Sequence, residues 1–257
     1  MTYAAFDLAG RTAIVTGAGR GLGRGMAEAL ADAGAFVVCA GRTAAGIEET
    51  AATIRTAGGK AEPFLFDAVK REDSRRLVAE TARRHGKLDI MVVNHGIALA
   101  AAAVDVADAD WSETIAVNLT RAFLCAQAAG RQMIAQGKGG SIVLISSNAS
   151  LVGFPDLTAY GASKGGVDQL CRQLAVEWGP HNIRVNAVNP GYTTNNMAGG
   201  DERHAVAGLN ENIRRLTPLG RRGSIAEIAG PVVFLASDAA SFVSGVCLAV
   251  DGGYCAF

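Results

Sequence analysis

Seven short β-prone runs alternate with segments of helical period along almost the whole chain, and this alternation restricts the fold more than any other feature. The runs are Thr12–Thr16, Phe36–Ala40, Ala61–Phe66, Leu88–Val93, Ser141–Ser146, Ile183–Val188 and Val246–Val250. They are apolar at nearly every position rather than at every second one, the pattern of a strand covered on both faces. Between them, Leu22, Met26, Ala29, Leu30 and Ala33 form one helical stripe stopped at Gly34, and Val167, Leu170, Cys171 and Leu174 another ended by Gly179-Pro180. Strands alternating with helices predict an α/β chain with a doubly wound parallel sheet of about seven strands. No long linker or internal repeat interrupts the pattern, so one domain is expected over 1–257. The stretch 191–215 differs, carrying Gly199, Gly200, asparagines and several charges, and is expected to form a lid over a site.

The charge balance narrows the partners. Twenty-four basic side chains offset 24 acidic ones with no Lys/Arg block, which points away from nucleic acid and anionic membranes and towards a small molecule. No apolar segment approaches the ~18 residues of a membrane span. Asp7 and Arg11 stand where a signal peptide would need an apolar run. The five cysteines (Cys39, Cys125, Cys171, Cys247, Cys255) are far apart with no C-x-x-C pair. That spacing predicts buried free thiols in a reducing cytoplasm, with no metal site.

Strand one runs into Thr16-Gly17-Ala18-Gly19-Arg20-Gly21-Leu22-Gly23 and then an amphipathic helix. Strand, glycine turn and helix in succession is what a dinucleotide pyrophosphate requires, because the backbone must approach closely and the helix N-terminus favours the negative charge. The spacing here is G-x-x-x-G-x-G rather than G-x-G-x-x-G. At the end of strand two, where a carboxylate would take a ribose 2′-OH, the sequence is Cys39-Ala40-Gly41-Arg42. A guanidinium suits a 2′-phosphate, and Arg20 in the turn supplies a second positive group. NADP is therefore expected in preference to NAD, with NAD the alternative.

Tyr160 and Lys164 stand four apart on a predicted helix, on one face about one turn apart. A tyrosine of pKa about 10 is a weak acid–base catalyst near neutrality, and a nearby ammonium favours the phenolate. Upstream, Ile145-Ser146-Ser147 ends strand five at the sheet edge where ligands of such folds bind. Ser147 either holds a substrate oxygen or caps the following loop. No G-x-S-x-G elbow surrounds it, so a hydrolase nucleophile is not expected. Asn118 lies in the apolar run Ile115–Leu119, a position that asks for a buried polar partner.

With these residues in view, the chain resembles the short-chain dehydrogenases/reductases, a Rossmann-type family, over nearly its whole length. The matching motifs are Thr16–Gly23, Asp67, Asn94-His95-Gly96, Asn118, Ser147, Tyr160 with Lys164, Asn186, Pro190-Gly191, Pro218–Arg221 and Val250–Gly253. The resemblance implies a catalytic tetrad of Asn118, Ser147, Tyr160 and Lys164. It implies that Gly17, Arg20, Gly21, Leu22 and Gly23 wrap the adenosine and pyrophosphate, that Asp67 and Ala68 meet the adenine, and that Asn94 and Gly96 meet the nearby ribose. Tyr160 and Lys164 border the nicotinamide ribose, and Pro190, Gly191, Thr193 and Thr194 the nicotinamide end. Asn118 would hold a water in a proton relay through Lys164, and Tyr160 would protonate the carbonyl oxygen as hydride arrives. Family members are mostly tetramers, so a homotetramer is expected.

Two positions depart from the family pattern in the N-N-A-G region, His95 for Ala and Val93 for Asn, which bears on packing rather than chemistry. After Pro190-Gly191-Tyr192, the usual threonine is either replaced by Asn195 or supplied by Thr194. Substrate contacts are expected from Ser147, Asn148, Tyr160 and Tyr192. The pocket should be shaped by Ile97–Ala103, Asn148–Leu157 and Tyr192–Arg215, where Asn148, Asn195, Asn196, Arg203 and His204 suit a hydroxylated or acidic substrate. Gln136–Gly140, Glu177-Trp178, His181–Ile183 and Tyr192 followed by Thr194–Asn196 are similar to sugar-acid and polyol dehydrogenases of the deoxygluconate or gluconate type. A ketoacyl-carrier-protein reductase is the alternative, with Arg214, Arg215, Arg221 and Arg222 as its docking patch. A non-catalytic NADP-binding module would be expected only with a broken tetrad.

Overall fold

In the computed structural model, the described residues are 4–68, 70–194 and 209–256. Seven strands, β1 (Thr12–Thr16), β2 (Phe36–Gly41), β3 (Lys60–Leu65), β4 (Ile90–Val93), β5 (Gly140–Ile145), β6 (Ile183–Pro190) and β7 (Cys247–Val250), form one sheet in the order β3-β2-β1-β4-β5-β6-β7. Every neighbouring pair is parallel. The order reverses between β1 and β4, which opens a crevice at the carboxyl ends of these strands.

The expectation of double-faced burial holds for the central strands. Ala13 and Val15 pack into one core with Leu22, Met26, Ile47, Ile228 and Val232, whereas Ile14 packs into a second core with Leu77, Met133, Val167 and Leu174. It fails at the edges, where β3 and β7 are only partly covered because each lacks a neighbour on one side. β4 is also shorter than the predicted Leu88–Val93. The Asp89 carboxylate, beside Lys87 Nζ, accepts from Thr12 N at 2.7 Å, and the Gln136 amide takes both the Leu88 N–H and its carbonyl (3.2 and 2.7 Å). Side chains therefore satisfy backbone groups that the ladder would otherwise use.

The helices are α1 (Gly21–Asp32), α2 (Ala44–Thr56), α3 (Arg71–His85), α4 (Asp108–Ile115), α5 (Arg121–Gln136), α6 (Thr158–Trp178), α7 (Leu209–Leu216) and α8 (Ile225–Ala236). Helices α1, α2 and α8 supply the first core and α3, α5 and α6 the second. A π-helical turn, Ala116–Thr120, joins α4 to α5 and carries Asn118; such turns change the direction of side chains within a helix and recur at functional sites. α8 opens with a capping box, Ser224 and Glu227, that satisfies two backbone N–H groups reciprocally. Cys39, Cys125 and Cys171 are buried free thiols, whereas Cys247 and Cys255 are free but half-buried, being in or after the edge strand β7. Among the described residues no helix is long and apolar enough to cross a membrane.

Candidate active site

The glycine turn sits at the crevice between β1 and β4. Gly17 and Gly21 have φ of +67° and +54°, a region that favours glycine. A Cβ on Gly17 would lie 2.9 Å from Asn94 Nδ2, and one on Gly23 would overlap the Gly17 carbonyl. Asn94 pins the turn to the exit of β4: its Nδ2 donates to the carbonyls of Thr16 (3.2 Å) and Gly17 (3.4 Å), and its N–H donates to Thr16 Oγ1 (3.0 Å). Arg20, the N-cap of α1, gives no side-chain cap to the helix. A helix N-terminus without a side-chain acceptor, approached by a turn of this tightness, fits a pyrophosphate.

Arg20 and Arg42 are exposed, and neither has an ion pair among the described residues; Arg24, by contrast, is held by Glu28 and Glu49 at 2.9 and 2.7 Å. Arg20 and Arg42 could therefore hold a 2′-phosphate without first breaking a protein contact. Asp67 is half-buried and Ala68 buried at the exit of β3, and the Asp67 N–H donates to Asp73 Oδ2 at 2.9 Å. His95 lies inside the crevice wall, with Nδ1 3.0 Å from Thr16 Oγ1 and its ring edge-on to Phe66. Burial, and secondarily the Lys164 ammonium, pushes its pKa down to about 3. It is a neutral packing group there, not an acid or base.

Tyr160 and Lys164 project from the first turns of α6, with Lys164 Nζ 5.7 Å from the centre of the Tyr160 ring. Lys164 is only 4% exposed, and its Nζ donates to Ile145 O at 2.8 Å. Burial pushes its pKa down to about 8, opposed by the negative charge of Asp168. Ser147, at the exit of β5, caps the following turn, its Oγ accepting from Ala149 N at 3.1 Å. The same hydroxyl donates to Asn148 Oδ1 at a long 3.4 Å, so holding a substrate oxygen requires only that this weak donation be exchanged, while the cap is kept. Asn148 is buried beside it, and its Nδ2 has no hydrogen-bond partner among the described residues. Asn118 is 1% exposed; it accepts from Ile97 N (2.9 Å) and donates to Ile97 O (2.9 Å) and Ser163 Oγ (3.0 Å). Both Nδ2 protons are thus committed to bracing the 96–98 segment, and a water held by Asn118 would have to donate to its Oδ1 or its backbone carbonyl.

The three segments expected to shape the pocket are partly brought together. Ala101 bridges Leu157, with Ala101 N donating to Asp156 O at 3.1 Å. Residues Ala149–Phe154 line a cavity of about 370 Å³ together with Leu157, Thr158 and Gly161. Pro190 and Gly191 lie at the end of β6, where Gly191 N donates to Val250 O. Thr193 is buried, Thr194 is exposed, and Thr193 bridges Gly223. Asn195, Asn196, Arg203 and His204 lie outside the described residues, as does most of the expected lid. Of the arginines proposed as a carrier-docking patch, Arg221 is paired with Glu227 (2.6 and 2.8 Å), and Arg222 donates to Asn210 Oδ1 and Thr193 O.

Besides Tyr192, expected at the substrate, the site has residues that are not apparent from motifs. Phe154, Tyr192 and Tyr254 form an aromatic trio with ring centres 5.4 to 6.0 Å apart, joining the cavity wall to the C-terminal segment. Nothing local in the sequence signals their meeting. Asp168 and Asn189 are buried behind Ser147 and Lys164. The helical spacing Tyr160, Lys164, Asp168 would have exposed the first of these, since an acid on an apolar stripe needs a partner.

Known proteins are similar to the chain over nearly its whole length. Residues 17–255 match the family model described as Enoyl-(Acyl carrier protein) reductase. The chain is 38% identical to the NAD-dependent glycerol dehydrogenase of Listeria innocua, over 99% of both chains. It is also 38% identical to the 2-dehydro-3-deoxy-D-gluconate 5-dehydrogenase of Escherichia coli, over 100% of both. A solved gluconate 5-dehydrogenase from Burkholderia cenocepacia, in complex with NADP and tartrate, superposes with a TM-score of 0.93 at 35% identity, covering 98% of each chain.

Proposed function

The chain belongs to the short-chain dehydrogenase/reductase family, and from that premise we propose that it interconverts a secondary alcohol and a ketone of a sugar acid or polyol, with NADP as the preferred cofactor. The observation that carries this reading is the buried Lys164 ammonium 5.7 Å from the Tyr160 ring, beside the loop of Ser147. Relatives named for gluconate and glycerol, and a neighbour solved with NADP and tartrate, support the substrate class. Exposed, unpaired Arg20 and Arg42, with no carboxylate at the end of β2, support NADP over NAD.

When bound, the nicotinamide supplies or accepts the hydride. Gly17, Gly21, Leu22 and Gly23 would hold its pyrophosphate, Arg20 and Arg42 the 2′-phosphate, Asp67, Ala68, Asn94 and Gly96 the adenosine, and Pro190, Gly191, Thr193 and Thr194 the nicotinamide end. Ser147 Oγ donates to the substrate oxygen and fixes it beside the Tyr160 hydroxyl. Tyr160 gives its proton to that oxygen during reduction and withdraws it during oxidation. Lys164 makes this feasible near neutrality, because an adjacent positive charge stabilises the phenolate. Asn118 keeps the 96–98 segment against Lys164. Asn148 Nδ2, buried and without a partner among the described residues, is the group best placed to meet a substrate hydroxyl or carboxylate, since binding there satisfies an otherwise unpaired donor.

Of the basic patch that an acidic carrier would need, Arg221 is paired with Glu227 whereas Arg214 and Arg215 stay exposed, and the thioester arm of the assay decides between the two substrate classes. Assembly as a homotetramer is part of the proposal: Val104, Val176 and Phe242 present apolar side chains to solvent (93, 76 and 104% exposed), and light scattering of the purified protein tests it. The function is tested by following cofactor oxidation with sugar-acid ketones, polyol ketones, simple ketones and acetoacetyl thioesters, each with NADPH and NADH. Turnover of the first two classes, faster with NADPH, is expected. Preference for the thioester would overturn the substrate assignment, and cofactor binding without any turnover would indicate a non-catalytic module.

A further inference from the structure

We infer that Asp168, acting through Asn189 and directly on Lys164, is a positioning residue that holds the charge state of Lys164 and the seat of Ser147. The inference rests on the catalytic reading above and adds residues outside its tetrad. Asp168 is 3% exposed and stands one helical turn beyond Lys164, on the face that carries Tyr160 and Lys164. A carboxylate in such a place is costly unless its charge is used. Its Oδ2 accepts from Asn189 Nδ2 at 2.8 Å, while its Oδ1 receives no hydrogen bond among the described residues. Asn189, fully buried near the end of β6, also directs Nδ2 at the Ser147 carbonyl (3.2 Å) and Ser150 Oγ (2.7 Å). Ser150 Oγ in turn donates to Ser147 O at 2.6 Å. One amide therefore ties α6, β6 and the turn bearing Ser147 and Asn148 into a single buried unit.

The electrostatic half of the arrangement follows from what surrounds Lys164. On α6 the facing groups are Tyr160 and Asp168. From the exit of β4 comes His95, which is neutral because of its burial. The exits of β5 and β6 bring Ser146, Ser147 and Asn189, none of which carries charge; on the side of Asp168 stand the thiols of Cys171, on α6, and Cys247, on β7, whose Sγ lies 3.7 Å from the Asp168 carbonyl. Among the described residues Asp168 is thus the carboxylate that opposes the loss of the Lys164 proton caused by burial. Removing its negative charge makes every proton on the Tyr160–Lys164 pair easier to lose, whichever group loses it first.

The test compares Asp168→Asn, which keeps the shape and removes the charge, with Asn189→Ala, which keeps the charge and removes the tie. Two readouts are taken: the pH profile of carbonyl reduction, and the titration of the Lys164 side chain in the cofactor-free protein by carbon NMR, assigned with Lys164→Arg. Asp168→Asn is expected to move the alkaline limb and the Lys164 midpoint to lower pH by about one unit. Asp168→Glu should restore both towards the wild type. Asn189→Ala is expected to lower kcat about tenfold with the limb near its wild-type position. If Asp168→Asn does not fold, by circular dichroism, Asp168→Ser is read in its place. A limb and midpoint unmoved in the charge-removing variant would overturn the inference. Absence of turnover in the wild type would instead remove the catalytic reading, and the NMR midpoint would still decide whether Asp168 sets the charge of Lys164.

Discussion

Replacing Asn118 by alanine tests whether its amide is a brace between the exit of β4 and α6. The substitution deletes three hydrogen bonds, two to the backbone of Ile97 and one to Ser163 Oγ. Ser163 keeps its donation to Tyr160 O at 2.7 Å, so the loss falls on the Ile97 N–H and carbonyl. Each buried backbone group left without a partner costs about 1–3 kcal/mol. Ile97 is only half-buried and water can reach it, which places the total near the lower end, about 2–4 kcal/mol. In a chain of this size that corresponds to a fall in Tm of roughly 4–16 °C. The assay is thermal and urea unfolding of wild type and Asn118→Ala at one protein concentration, since assembly would make the midpoint concentration-dependent. Activity should fall as well, because a Cβ position on Gly96 lies 3.2 Å from Asn118 Oδ1 and 3.7 Å from Lys164 Nζ, so movement of this segment is felt at the lysine. A midpoint within about 1 °C of wild type would refute the bracing role, since it is well below the loss of even one such bond.

Tyr160→Phe should reduce kcat by about a thousandfold, within the usual range for loss of a general acid, while NADPH affinity measured by fluorescence titration changes little; retained turnover would refute the proton-transfer role. Arg42→Ala should weaken NADP binding by about 10–100-fold, the loss of a charge-assisted contact worth about 1.5–3 kcal/mol, and leave NAD binding nearly unchanged. Equal weakening of both would remove the 2′-phosphate assignment. With its pKa pushed down to about 8 by burial, Lys164 carries its proton below that pH and loses it above, so the reduction rate should fall as pH rises through about 8. Lys164→Arg, whose charge persists, should move that decline to higher pH if the variant retains measurable activity, and an unmoved decline would assign it to another group.

Much of the fold is written in local pattern. Strands β1, β2, β4, β5 and β6 are covered on both faces and read as continuous apolar runs for that reason, and the glycine turn is forced by the close approach of Gly23 to the Gly17 carbonyl. Tyr160 and Lys164 share a face because four residues make about one helical turn. The pattern misplaces the start of β4, where the Asp89 carboxylate and the Gln136 amide take the backbone groups of Thr12 and Leu88, and it overstates the burial of β3 and β7, because an apolar run does not reveal that its strand lies at an edge.

What the sequence by itself determined, then, is the alternation of strand and helix, the cradle at the first turn and the spacing of the catalytic pair, all of which depend on periods of a few residues. The tertiary structure alone decided that Asn118 braces Ile97, that Asn189 joins Asp168 to Ser147, and that Phe154, Tyr192 and Tyr254 meet at the cavity wall. The physical reason is that a buried polar group or an aromatic face is satisfied by whatever lies within a few ångströms, and those partners come from segments whose proximity exists only once the sheet is assembled.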